Sequence, residues 1–247
     1  MKKLLLVALL IFPFLLNAQS KFHFGITAGG GLTGWHDEHN INYLEMRQKY
    51  EHQFVFGFVA GGFVQYKFWK RFSLHSEFLY ANSGSKFTYT WNDGFHQPSG
   101  KIFKRIEKLE YNIHSLQIPV SLSFDITKTK VVPYIKVGVV PNYIVDGKRD
   151  YYFSLSTTGE SYHKTGDLYF TGENEDLQFE IRPLFGIGVS IFERFSFEAT
   201  LSSGESFVYY LHPIVNNNPL DNADYAIPSE KSYVNRSIMF MVKYNLN

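Results

Sequence analysis

His75 and Glu77 stand two residues apart in FSLHSEFLYANSGSKF, an imidazole and a carboxylate set among Phe, Leu and Tyr. At that spacing the two groups share one face of a strand. They could act as acid and base, line a proton or solute path, or hold counter-ions. Three other groupings could carry chemistry. His36, Asp37, Glu38 and His39 have the residue types of a zinc site, but zinc needs three or four ligands held tetrahedrally and a polar loop fits the stretch better. Gly29, Gly31 and Gly34 have GxGxxG spacing. A dinucleotide site would need an amphipathic helix next, and WHDEHN is not one, so small residues relieving crowding in a bent strand explain them better. His114 and Ser115 pair a base with a nucleophile, yet adjacent strand residues point to opposite faces and cannot act on each other. No catalytic set emerges. The chain is expected not to be an enzyme, and to hold no cofactor or metal.

The elements that position His75 and Glu77 are strands. Phe72, Leu74, Ser76, Phe78 and Tyr80 alternate with Ser73, His75, Glu77, Leu79 and Ala81, a period of two. Seven further segments repeat it: FHFGITAGGGLTGW, FVFGFVAGGFVQYKF, SLQIPVSLSFDI, PYIKVGVVPNYIV, LQFEIRPLFGIGVSIF, FSFEATLS and RSIMFMVKYNLN. One face of each is apolar. The other face carries His75, Glu77, Gln117, Lys136, Glu180, Arg182 and Glu198. Links near 69–71, 126–131 and 193–194 are tight, whereas those near 34–53, 88–110, 147–176 and 205–232 are long and polar. Four prolines fall inside the strands, at 119, 133, 141 and 183. Each is expected near a rim, at a strand start or at a bulge, because proline removes a ladder hydrogen bond.

Short turns alternating with long loops, an even strand number and an apolar face on every strand describe a bacterial outer-membrane barrel. The expected fold is all-β: an eight-stranded antiparallel up-and-down transmembrane β-barrel with short periplasmic turns and long extracellular loops, both termini periplasmic. A soluble lipocalin-like barrel would turn the same alternation inside out. Aromatic clusters favour the membrane version: Phe68, Trp69, Phe72, Phe124, Phe192 and Phe195 beside the short turns, and Trp35, Tyr89, Trp91, Tyr143, Tyr209 and Tyr210 beside the long loops. These are expected to form two interfacial girdles.

Residues 1–18, with Lys2, Lys3 and the apolar run from Leu4 to Leu16, have the layout of a secretory signal peptide, leaving 19–247 as the barrel domain. That run is shorter than a membrane-spanning helix needs. The absence of cysteine excludes a disulfide scaffold and a lipoprotein anchor. Without Lys2 and Lys3, 22 of the 24 basic residues remain against 23 acidic ones. A near-neutral chain excludes nucleic acid as a partner.

An eight-stranded barrel is just wide enough to be filled by its own side chains. Acids on the third, sixth and seventh strands (Glu77, Glu180, Glu198) and bases on the fifth and sixth (Lys136, Arg182) are therefore expected to form a salt-bridged plug with His75 and Gln117. Glu77 is expected to pair with Arg182 or Lys136. FGITAGGGLTG, FSLHSEFLYANSGSKF, YNIHSLQIPVSLSF and VVPYIKVGVVPNYIV together resemble the PorT-like outer-membrane β-barrel family of the Bacteroidota, over essentially all of 19–247. The resemblance implies an accessory role in type IX protein secretion, with envelope or secretion-machinery proteins as partners of a monomeric barrel set in outer-membrane lipid. It supplies no catalytic residues. The closing YNLN departs from the family by lacking a terminal aromatic. Two other readings are a surface adhesive protein working through its loops and a lipid-modifying enzyme at the rim.

Overall fold

The computed structural model describes residues 21–37, 48–93, 103–156, 159, 161–167, 179–206 and 233–247. The signal segment, Glu38 and His39 of the HDEH stretch, and Tyr209 and Tyr210 lie outside the described residues. Eleven strand segments are present: β1 (Phe22–Asp37), β2 (Gln48–Gln53), β3 (Val55–Lys67), β4 (Phe72–Asp93), β5 (Phe103–Gln117), β6 (Val120–Asp125), β7 (Val131–Leu155), β8 (Ser161–Asp167), β9 (Phe179–Ile191), β10 (Phe195–Ser206) and β11 (Tyr233–Asn245).

Pairing reduces these to an eight-membered ring. β2 and β3 both pair with β4, and only Phe54 separates them. Residues 54–57 face residues 83–85 there, so one extra residue makes a bulge. β5 and β6 pair with the same two neighbours, β4 and β7, keeping one register along β4 across the break between them and, along β7, one register from Ser115 onward. β8 and β9 both lie along β7. Antiparallel pairing of β1 with β11, from Gly25 with Asn245 to Asp37 with Tyr233, closes the ring. Neighbours in space are neighbours in sequence all the way round. Closure leaves no sheet edge, the condition for spanning lipid with strands.

The outward face of the lower half is apolar. Ile26, Phe56, Phe78, Val137, Phe185, Phe197 and Phe240 are among its exposed side chains, and the positions between them point inward. On β4 this band ends at Tyr80. Above it the outward residues become Asn82, Lys86 and Thr88, while Phe87 turns inward to pack with Trp35, Tyr111, Ile113 and Ile144. The barrel therefore reverses its polarity along its own axis. A membrane strand needs about 9–11 residues, and β7 has 25. The surplus projects past the lipid band as a second, ordinary hydrophobic core.

This changes two sequence expectations. Much of the segments read as long polar loops is strand: β4 continues to Asp93, β5 begins at Phe103, and β7 with β8 occupies most of 147–167. Trp35 is 4% exposed. It and Tyr89, which packs against the same cluster, face the interior and are no part of an outer girdle; Tyr143 is exposed. On the opposite rim Phe68, Trp69, Phe192 and Phe195 do face outward.

The prolines divide. Pro133 sits at the foot of β7, and Pro119 makes the break between β5 and β6. The Glu77 N–H donates to the Pro119 carbonyl at 3.0 Å, and proline has no N–H to return. The Ile118 N–H likewise donates to Pro141 at 2.9 Å, close to the bulge where β7 gains Val145. Pro183 contradicts the expectation, lying in the body of β9 opposite Val139.

The glycines of β1 relieve crowding between neighbouring strands. A Cβ on Gly31 would fall 1.9 Å from the Ile238 carbonyl oxygen of β11. No larger residue fits that approach, and a nucleotide has no part in it.

Candidate functional site

Four strands bring ionisable groups together inside the lower barrel. Glu77 comes from β4, Tyr134 and Lys136 from β7, Glu198 from β10 and Lys243 from β11. Each occupies the inward phase of its strand, where the outward phase is already committed to lipid. Lys136 Nζ lies 2.8 Å from Glu77 Oε1 and 2.6 Å from Glu198 Oε1. Lys243 Nζ lies 2.7 Å from Glu77 Oε1 and 3.1 Å from Glu198 Oε2. The Tyr134 hydroxyl donates to Glu198 Oε2 at 2.9 Å. All four charged side chains are 0–4% exposed.

Two carboxylates and two ammonium groups make the cluster neutral, and every ion touches both ions of opposite sign. That arrangement matters, because a buried ion costs several kcal/mol unless good geometry and further hydrogen bonds offset its lost hydration. Phe63 contributes a ring face 5.6 Å from Lys243 Nζ. His75 stands apart from the ions in its bonding, with Nε2 2.8 Å from Ser123 Oγ.

An apolar layer follows. Leu79 is two residues above Glu77 on β4, and Met241 is two residues above Lys243 on β11; with Val59, Ala81 and Met239 they form one cluster. A second polar group lies beyond it. Glu180 Oε1 accepts from Asn142 Nδ2 at 2.8 Å and Asn235 Nδ2 at 3.2 Å, and lies 3.4 Å from Arg182 Nε. Between the two polar groups is a cavity of about 30 Å³ lined by Glu77, Lys136, Leu79, Met239, Thr33 and Arg182 among others. That is space for about two or three water molecules. Higher still, Thr33 Oγ1 donates to the Gly84 carbonyl at 3.1 Å and accepts from the Gly84 N–H at 2.9 Å, while the Trp35 N–H donates to Ser85 Oγ at 3.2 Å. These bonds draw β1 directly onto β4 and narrow the interior beneath the aromatic core.

The sequence grouped seven residues into one network. The structure separates them. Glu77, Lys136 and Glu198 meet in the lower cluster; Glu180 and Arg182 belong to the upper group. His75 binds Ser123, and Gln117 is half-buried on the cavity wall. Of the two partners expected for Glu77, the structure has Lys136 and not Arg182, whose neighbouring carboxylate is Glu180. Lys243 and Tyr134 were missed. Lys243 shares its face with Met239 and Met241, so that face of β11 reads as apolar; Tyr134 reads as an ordinary strand aromatic. Their signal was the phase they share with Lys136 or the lumen face, which the alternation alone would have exposed.

The remaining candidates do not assemble a reactive centre. His114 faces outward, its Nδ1 2.5 Å from the Tyr80 hydroxyl, while Ser115 is buried on the inner face. Among the described residues no group of three or more His, Asp or Glu is placed to hold a metal ion.

A closed antiparallel ring with a lipid-facing apolar band and an ionic interior defines the class: a membrane-spanning β-barrel. The chain belongs to the outer membrane protein beta-barrel domain family, whose sequence profile matches residues 17–204. The outer membrane is therefore its location. No curated protein matches the chain significantly. Among solved structures it is similar to Ail, the attachment invasion locus protein of Yersinia pestis, in complex with the heparin analogue sucrose octasulfate, at 12% identity over 92% of this chain and 99% of that one with a TM-score of 0.36. It is also similar to the outer membrane protein OprG of Pseudomonas aeruginosa, at 12% identity over 92% and 94% of the two chains with a TM-score of 0.35.

Proposed function

We propose that this barrel neither conducts nor catalyses and works by contact, through the part that stands above the lipid band. The observation that carries the reading is the filled interior. The ionic cluster, the Leu79–Met241 layer and the Glu180 group succeed one another, and the cavity between them has room for only about two or three waters. Strands that outrun the membrane and enclose their own aromatic core supply a rigid platform, and rigid elements position a contact surface better than loops do.

The short turns and both ends of 19–247 then face the periplasm, with β4, β5, β7 and β8 projecting outward from the cell. The partner class is envelope or secretion-machinery protein, which rests on the resemblance to the PorT-like family and its accessory role in type IX secretion. Deleting the gene and measuring surface delivery of secreted proteins tests that role, with reduced delivery expected; normal delivery contradicts it. The second reading, surface adhesion, draws on two aromatic pairs across β7 and β8, in which Tyr152, Tyr162 and His163 are exposed and Phe153 is half-buried. Tyr152 and His163 stack at 4.0 Å with an interplanar angle of 2°, and Phe153 and Tyr162 stack at 5.0 Å. Under that reading, ligand binding by the purified barrel disappears when these rings are replaced by serine.

A further inference from the structure

The end of the barrel formed by the three short connections has a composition of its own. The connections read KFWKR at 67–71, DITKTK at 125–130 and ER at 193–194, and Lys21 stands at the same end beside β1. Lys67 and Asp125 answer each other at 3.3 Å. Lys21, Lys70, Arg71, Lys128, Lys130 and Arg194 remain, all exposed, with Glu193 as the one exposed acid of these turns. In a chain whose 24 basic and 23 acidic residues nearly balance, this rim is a segregated positive charge.

The cations are interleaved with outward-facing rings. Phe68, Trp69, Phe192 and Phe195 are 44–65% exposed. Trp69 packs on Phe72 at 5.8 Å, Phe72 on Phe124 at 5.1 Å, and the Arg71 guanidinium lies 6.0 Å from the Phe124 ring centre. A belt of rings marks the level where hydrocarbon gives way to head groups. Cations just beyond such a belt reach head-group phosphates with their stems laid along apolar surface. A site built for a soluble acidic partner would have no use for rings turned toward lipid.

We infer that this rim binds lipids with net-anionic phosphodiester head groups, of the phosphatidylglycerol or cardiolipin class, in preference to zwitterionic ones. Arg71 and Arg194 present paired donors to phosphate oxygens, and the four lysines add charge between them. Attraction of this kind is short-ranged and screened by salt. Its consequence is an annulus of anionic lipid that fixes the depth of the barrel. The assignment of this rim to the periplasmic leaflet rests on the orientation proposed above; head-group preference itself does not, since a symmetric bilayer reads it in either orientation.

Trp69 is a native reporter of that annulus. The full chain is refolded into phosphatidylethanolamine vesicles in which one-fifth of the lipid is brominated on its acyl chains, carried either by phosphatidylglycerol or by phosphatidylcholine, and Trp69→Phe supplies the blank. Quenching of Trp69 is expected to give a relative association about threefold or more in favour of phosphatidylglycerol at low salt, approaching one in 0.5 M NaCl. The combined variant K70Q/R71Q/K128Q/K130Q/R194Q should lose the preference while keeping the heat-modifiable gel mobility of a folded barrel. K70E/R71E, which lowers the rim charge by four through the two positions beside Trp69, should weaken it strongly. Equal quenching by the two lipids in the wild type, or a preference unchanged in both folded variants, overturns the inference. Either result would point to an acidic protein or wall polymer as the occupant.

Discussion

Glu77 stands between two ammonium groups, each within 2.8 Å of its Oε1, so its removal leaves more positive than negative charge in a sealed space. Glu77→Leu is expected to cost about 3–5 kcal/mol. Urea unfolding in vesicles measures it, and the double variant Glu77→Leu/Lys243→Met, which restores neutrality, should recover a large part. In the outer core the relevant group is Tyr111. Burial pushes its phenol up to about 12, against a smaller opposing pull from Arg149. Because the folded state holds this proton more tightly than the unfolded one, the contribution is complete below about pH 10 and is lost as pH rises toward 12. Over that interval the wild type should lose up to about 3 kcal/mol that Tyr111→Phe does not lose. Melting curves of the two proteins from pH 9 to 12 read the difference. Nearby, Arg105 is held above its ordinary value by Glu107 and Tyr151 despite the burial that opposes it, so it stays charged throughout.

Along a single strand, the two halves should answer the same substitution differently. Leu122→Arg or Phe197→Arg, in the outward apolar band, should cost about 2–4 kcal/mol near the bilayer midplane. Asn112→Arg, outward but beyond the band, should stay within about 0.5 kcal/mol. Refolding yields and unfolding curves in matched vesicles compare them. The difference explains what could be read from sequence. Alternation fixed the phase of each strand, because a lipid face tolerates little but apolar residues; it carried no mark of height. Trp35 and Tyr89 lie in the inward phase, and only the change of their outward neighbours from Leu74 and Phe78 to Lys86 and Thr88 shows that the bilayer has ended. In FTYTWND the alternation continues with Thr as the outward residue, which resembles a polar loop. After Ile144 the extra residue Val145 shifts the phase of β7, so the strand running on to Leu155 lost its pattern in the sequence. Lys243 and Tyr134 share the inward phase that the alternation does show; which inward groups meet is decided by closure of the ring, β1 on β11, a long-range event that no local window contains.

Taken whole, the molecule is two barrels in series, one inverted to suit lipid and one ordinary, built on the same eight strands and sealed where they meet. In the reading proposed above, that seal determines what the protein can do: with Lys136, Lys243, Glu77 and Glu198 buried and a cavity of about 30 Å³ above them, it leaves ions no aqueous route through the membrane part. The most direct test is the current carried by purified, refolded chain in a planar lipid bilayer at neutral pH. The account predicts insertion with no steady conductance, and discrete steps appearing only when the cluster and the layer above it are cut back together, as in the combined variant Glu77→Ala/Lys136→Ala/Lys243→Ala/Met241→Ala. A stable ohmic conductance from the unaltered protein would contradict it.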